Sequence, residues 1–282
     1  MPEESVDECK PLLTKGIKES QRSKYVQAFI NRTWNERYQA NISESALTLL
    51  WSTIVSIFTL GGLLGVSIGG TLSVKLGRKG TLLTNNFFSL TAALLMGLSS
   101  SVRSFELLII GRFLIGINAG IGLCVEPMFL GEISPTAFRG ALGSGTSIFL
   151  TVGILSGQVM GLDEVLGKEE FWPYLLSTTC IPAILQLLIL PWFPESPRYL
   201  FIDKGDEEGC KKALRQLHGL ADCDSSLEDI QKEKSNLAGF RAKKPWELFA
   251  DRSVRWQLLT IIVINMAQQL NGVNAVRLTY TQ

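Results

Sequence analysis

Six long apolar segments, with almost all charge swept into the gaps between them, constrain this chain more than any other feature. A helix needs roughly 20 largely apolar residues to cross a hydrocarbon core of about 30 Å. Segments of that kind run over 47–72, 81–100, 105–130, 141–162, 172–192 and 256–276. Between Ala46 and Phe193 almost every charged residue is confined to short connections. Connections that short, between segments that long and uncharged, argue against six buried helices of a soluble protein. Gly61, Gly62, Gly65, Gly69 and Gly70 put small residues at one-turn spacing, which lets helix backbones approach closely in lipid. The expectation is an all-α membrane protein.

Basic residues orient the bundle. Lys75, Arg78 and Lys79 follow the first span, Arg139 follows the third, and ten lysines and arginines from Arg198 to Lys244 follow the fifth. The opposite connections offer Arg103 and Lys168. Connections one, three and five are therefore expected in the cytosol. The segment before Leu47 then lies outside, where the sequons Asn31-Arg32-Thr33 and Asn41-Ile42-Ser43 fit as glycosylation sites. Its seven basic residues from Lys10 to Arg37 conflict with that side. A further span between the tail and Asn31 would resolve the conflict. The polar amino terminus has no apolar core of signal-peptide length.

The region 198–255 reads as a soluble helical insert. Asp206 suits a helix cap, Ser225-Ser226-Leu227-Glu228 reads as a capping box, and Pro245 fits the first turn of a third helix. Acids alternate with bases there, which describes a solvated face and not a nucleic-acid patch. The net charge of +1 averages a membrane part and a soluble part. Five scattered cysteines lack metal-ligand spacing, so no metal is expected. The single histidine, His218, sits in a charged helical stretch with no triad around it, and no enzyme chemistry is expected. No Gly-rich phosphate-binding loop is present, which disfavours an ATP-driven pump and implies no cofactor.

Five charged or amide motifs stand at the ends of the apolar runs: Leu76-Gly77-Arg78-Lys79, Gly111-Arg112-Phe113, Gly131-Glu132-Ile133-Ser134-Pro135 through Arg139-Gly140, Pro194-Glu195-Ser196-Pro197-Arg198, and Gln268-Gln269-Leu270-Asn271-Gly272-Val273-Asn274. In this order and spacing they resemble the sugar porter family of the major facilitator superfamily, in particular its facilitative hexose transporters. The resemblance covers about residues 30–276. It implies the amino-terminal six-helix half of a major facilitator fold with spans two to seven present, plus a helical cytosolic linker. The corresponding divisions are a polar, external-loop-like segment at 1–45, membrane helices at 46–193, a cytosolic linker at 194–253 and the start of a second half at 254–282. A first span and the last five have no counterpart. Arg277 stands where the family continues as apolar and aromatic, as in a truncated or spliced product.

The resemblance further implies alternating access to a midplane cleft in the plasma membrane, with a hexose as substrate and the bilayer as solvent. Gln268, Gln269 and Asn274 carry amides that donate and accept, matching sugar hydroxyls; helix–helix hydrogen bonding is the competing reading. Ser147 stands where the family usually has a sugar-binding glutamine, and Ile154 occupies a cleft position. Phe171-Trp172-Pro173 and the run 104–107 lean towards the fructose-transporting class II. Arg78, Glu132, Arg139, Glu195 and Arg198 are assigned to the inner gate, against a reading as topology signals alone. Arg112 is open to either a gating or a structural role. Glu126, inside the third span, is a candidate proton-coupling acid or a carboxylate satisfied by an inner arginine. The alternatives to a facilitative hexose carrier are a non-transporting form that binds full-length subunits or is degraded, and a proton-coupled sugar symporter.

Overall fold

The computed structural model describes residues 24–135, 138–162, 164–168, 170–218, 223–237 and 255–270. It divides into two units, one comprising Val26–Ser235 and the other Met1–Tyr25 with Asn236–Gln282. Helix α1 occupies 24–38, all but its first two residues in the larger unit. It is followed by α2 (Glu44–Leu76), α3 (Arg78–Ser101), α4 (Phe105–Ile133) and α5 (Arg139–Met160). The next span is built from α6 (Trp172–Ser177), α7 (Cys180–Ile189) and a 3₁₀ turn, Leu190–Trp192. A π-helical turn, Tyr199–Asp203, leads to α8 (Glu207–His218) and α9 (Cys223–Leu237). In the smaller unit, α10 runs Arg255–Leu270. Among the described residues, five helical segments are long and apolar enough to cross a membrane. The sixth expected span is helical through Leu270, and residues 271–276 lie outside the described ones.

Glycine explains why α2 and α4 pack so closely. A Cβ added at Gly61 or Gly65 would collide with the carbonyls of Phe113 and Ile117, and one at Gly116 or Gly120 with those of Phe58 and Gly62. Lipid offers no hydrophobic drive between helices, so this backbone-to-backbone fit supplies dispersion contacts in its place. On the next interface the amides of Asn85 and Asn118 each donate to the other's backbone carbonyl, at 3.0 Å both ways. Two reciprocal bonds fix the register of α3 on α4 where water cannot compete.

The break between α6 and α7 has a local cause. Pro182 cannot donate to the carbonyl of Thr178, and its ring crowds that group. The hydroxyls of Ser177, Thr178 and Thr179 bond back to the carbonyls of Pro173, Leu175 and Leu176, bending the segment further. Aromatic rings stand at both ends of the bundle. Phe29 and Trp172 lie 5.1 Å apart at one end, and Trp192 is 82% exposed at the other.

The linker has its own small core of Phe201, Cys210, Leu214, Leu227 and Ile230. Asp206 caps α8 as expected, its Oδ1 accepting the Gly209 N–H at 2.8 Å. The expected capping box does not open α9, which is already helical at Cys223 and so places Ser225 inside it. The position of Pro245 lies outside the described residues. Lys211 donates to Glu207 and holds its carboxyl below the usual range; Lys232 does the same to Glu228 and is itself raised.

Candidate functional site: a charged lattice at the inner rim

The α2–α3 connection is a single residue, Gly77, with φ of 83°, a left-handed conformation that suits glycine. The turn leaves α3 without a side-chain cap of its own. Glu195 supplies one from the far side of the rim: its Oε1 accepts the Lys79 N–H at 3.0 Å and the Ser196 N–H at 2.9 Å. A carboxylate there also complements the partial positive charge of the helix start. Lys79 completes the exchange by donating from Nζ to the carbonyls of Pro191 and Phe193, at 2.9 and 2.7 Å. These are the orphan carbonyls at the end of the α6–α7 span.

Arg78 is the hub. Its Nε lies 2.9 Å from Glu132 Oε2, and its Nη2 donates to Oε1 at 3.0 Å, a two-pronged pair joining α3 to the end of α4. Its Nη1 donates to Asp203 Oδ2 at 2.8 Å and reaches into the linker. The guanidinium lies 5.1 Å from the centroid of the Tyr199 ring. Ser196 Oγ donates to Glu132 and accepts the Tyr199 N–H at 3.2 Å. Arg78 and Glu132 are each only 11% exposed as side chains, so the pair is largely desolvated.

Of the five residues assigned to the gate, the structure thus pairs Arg78 with Glu132. Glu195 is a helix cap, and its contacts are N–H groups. Arg198 turns to Glu233 on α9. Arg139 is exposed and enters no ion pair among the described residues. Asp203, Ser196, Tyr199 and Glu233 belong to the rim but were not singled out from sequence. Only Ser196 and Tyr199, inside or beside the Pro-Glu-Ser-Pro-Arg run, carried a signal that could have found them.

The other expected residues are dispersed. Arg112 sits on α4 with its Nε buried and unpartnered among the described residues. Ser147 is exposed and Ile154 half-buried on α5, a helix with no buried residue. Gln268 and Gln269 are backbone-helical positions of α10 in the other unit, and Asn274 lies outside the described residues. Glu126 is exposed on α4 and enters no ion pair among the described residues. Asn31 and Asn41 are both exposed, while Thr33 of the first sequon is buried.

A set of membrane-length helices locked at one rim by buried ion pairs, with a helical linker folded onto that rim, defines a polytopic transport protein. Comparison with known proteins narrows the class. Residues 21–281 match the family described as sugar (and other) transporter. The facilitated glucose transporter member 5 of solute carrier family 2 from Ovis aries is 51% identical over 256 residues, covering 90% of this chain and 51% of that protein. Member 11 from Homo sapiens is 44% identical over 252 residues, covering 89% and 51%. Among solved structures, the xylose transporter XylE from E. coli in a partially occluded inward-open form superposes with a TM-score of 0.67. It shares 23% identity and covers 95% of this chain and 64% of its own. The proton:xylose symporter XylE bound to 6-bromo-6-deoxy-D-glucose gives 0.63 at 24% identity, covering 81% and 52%. This chain belongs to the sugar transporter family. It is a multi-pass membrane protein with a partial major facilitator fold, not an enzyme, and it spans about half the length of the curated relatives it matches.

Proposed function

We propose that this chain supplies one half of a facilitative hexose carrier of the plasma membrane, moving fructose or glucose by alternating access. The observation that carries the reading is the Arg78–Glu132–Asp203 lattice. It ties the inner ends of α3 and α4 to the linker, where a two-state gate needs contacts that one state has and the other lacks. Gln268, Gln269 and Asn274, with Ser147 and Ile154, are the proposed sugar contacts, and amides suit hydroxyls that both donate and accept. Arg112, Arg139, Glu195 and Arg198 remain proposed gate elements: Glu195 by capping α3, Arg198 through Glu233. Asn31 and Asn41 are proposed glycan acceptors. The unburied length of α5 supports association with further transporter helices.

A second reading, proton-coupled sugar transport, is favoured by the carboxylate of Glu126, which has no ion-pair partner among the described residues and sits on a membrane-length helix. Uptake tests both. The chain is co-expressed with the carboxyl-terminal half of a member 5 relative and reconstituted in liposomes. Saturable hexose uptake that is flat from pH 5.5 to 7.5, and that falls about tenfold or more in Arg78→Ala, supports the facilitative reading. Uptake that rises with acidity and loses that dependence in Glu126→Gln supports the coupled one. Assembled halves with no saturable flux of either hexose contradict both.

A further inference from the structure

Helix α1 lies in the segment expected from sequence to be external-loop-like, and one face of it packs into the core of the larger unit. Ile30 is fully buried, packed with Ile54 of α2, Ala92 and Met96 of α3, and Phe105 and Leu108 of α4, and Thr33 is 4% exposed. Phe29 meets Trp172 at the start of α6. The helix therefore lies packed across one end of α2, α3, α4 and α6.

A set of charges fastens it there. Arg37 donates to Glu106 at the start of α4, and its guanidinium lies 5.7 Å from the centroid of the Phe105 ring. Arg103, in the α3–α4 turn, donates to Glu36 at 2.9 Å. Glu36 also accepts from Arg32 at 3.3 Å, and Glu106 accepts from Ser104 Oγ at 2.6 Å. The signs are crossed: acid then base on α1 meets base then acid on the turn. Sliding α1 by one residue would bring Arg37 against Arg103, so the pattern selects one register.

The backbone gives independent support. The α3 helix ends in a reverse turn, with Ser104 N–H bonded to the Ser99 carbonyl and Arg103 N–H to that of Ser100. The residue at the left-handed position of this motif is ordinarily glycine. Here it is Arg103, with φ of 53°. A long cationic side chain held in a disfavoured conformation, and aimed at Glu36, is strain maintained for a contact.

We propose that Glu36, Arg37, Arg103 and Glu106 form an outer ionic clasp that fixes the register of α1 on the α3–α4 turn and straps α1 across that end of α2, α3 and α4. The clasp acts whatever solute passes.

Hydrogen exchange on the full 282-residue chain in nanodiscs tests this. Arg37→Glu and Glu106→Arg are each expected to speed exchange across 26–38 by about tenfold, with 108–125 unchanged. The double charge swap is expected to restore most of the protection. Should reversal prevent folding, Arg37→Gln and Glu106→Gln are read in the same way, and raising salt from 50 to 500 mM must then speed exchange in the wild-type segment. Single variants that leave 26–38 within about twofold of wild type, or a swap no better than its parents, overturn the clasp.

Discussion

Arg78 and Glu195 lie within the same few ångströms of the inner rim and do different physical work. Arg78 is a nearly buried cation answered by two carboxylates and an aromatic face. Removing it leaves Glu132 a largely buried anion held by Ser196. Arg78→Ala should therefore destabilise the folded chain by on the order of 3 kcal/mol. Arg78→Lys should recover only part of this, because an ammonium cannot make the two-pronged bond. Glu195 accepts N–H groups, which an amide oxygen can also do, so Glu195→Gln should cost no more than about 1 kcal/mol. Thermal unfolding of the three variants in one detergent checks the order. Glu195→Gln losing as much as Arg78→Ala would contradict the division between cap and hub. That division was not legible in the sequence. The motif Pro-Glu-Ser-Pro-Arg announced charge at a membrane edge, but the partner of Glu195 is a backbone N–H 116 positions away, which no side-chain pattern displays.

At the scale of helices, glycine separates packed from unpacked faces. Gly65 and Gly116 face carbonyls of the opposing helix, so Gly65→Ala or Gly116→Ala should force α2 and α4 apart. Nothing lies within 4 Å of Gly143, Gly153 or Gly157 on α5. Gly153→Ala there should be neutral or stabilising by up to about 1 kcal/mol, the intrinsic helix preference of alanine. Apparent melting temperatures from fluorescence-detected gel filtration decide. Equal losses at Gly65 and Gly153 would mean that α5 is as closely packed as α2 in the membrane. The spans themselves were readable because lipid imposes length and apolarity on any helix that crosses it. The kink before Cys180 was carried by Pro182 and three hydroxyl residues, whose effect depends on which carbonyls they reach. Helix α1 was missed because its apolar residues, Val26, Phe29, Ile30 and Trp34, are interleaved with the polar Gln27, Asn31, Arg32 and Thr33. Arg37, which fastens it, finds its partner 69 positions away.

Over the larger unit, two ionic assemblies stand at opposite ends of the same helices. The inner one centres on Arg78 at the start of α3, and the outer one on the α3–α4 turn after its end. Helix α3, of 24 residues, separates them by about 36 Å at the usual 1.5 Å rise, enough to span the hydrocarbon. Apolar residues between them are left facing outwards, Phe87 at 68% exposure among them, as a lipid solvent requires. Membership of the sugar transporter family and the half-length match to its relatives fit this half-bundle. The central claim is that a bilayer divides the two assemblies. Impermeant thiol labelling of intact cells tests it most directly, using a cysteine-free chain carrying Asn35→Cys beside the clasp or Lys212→Cys on the linker. Labelling of Asn35→Cys from outside, with Lys212→Cys reacting only after permeabilisation, is the result expected. Both positions reacting from the same side would contradict the account.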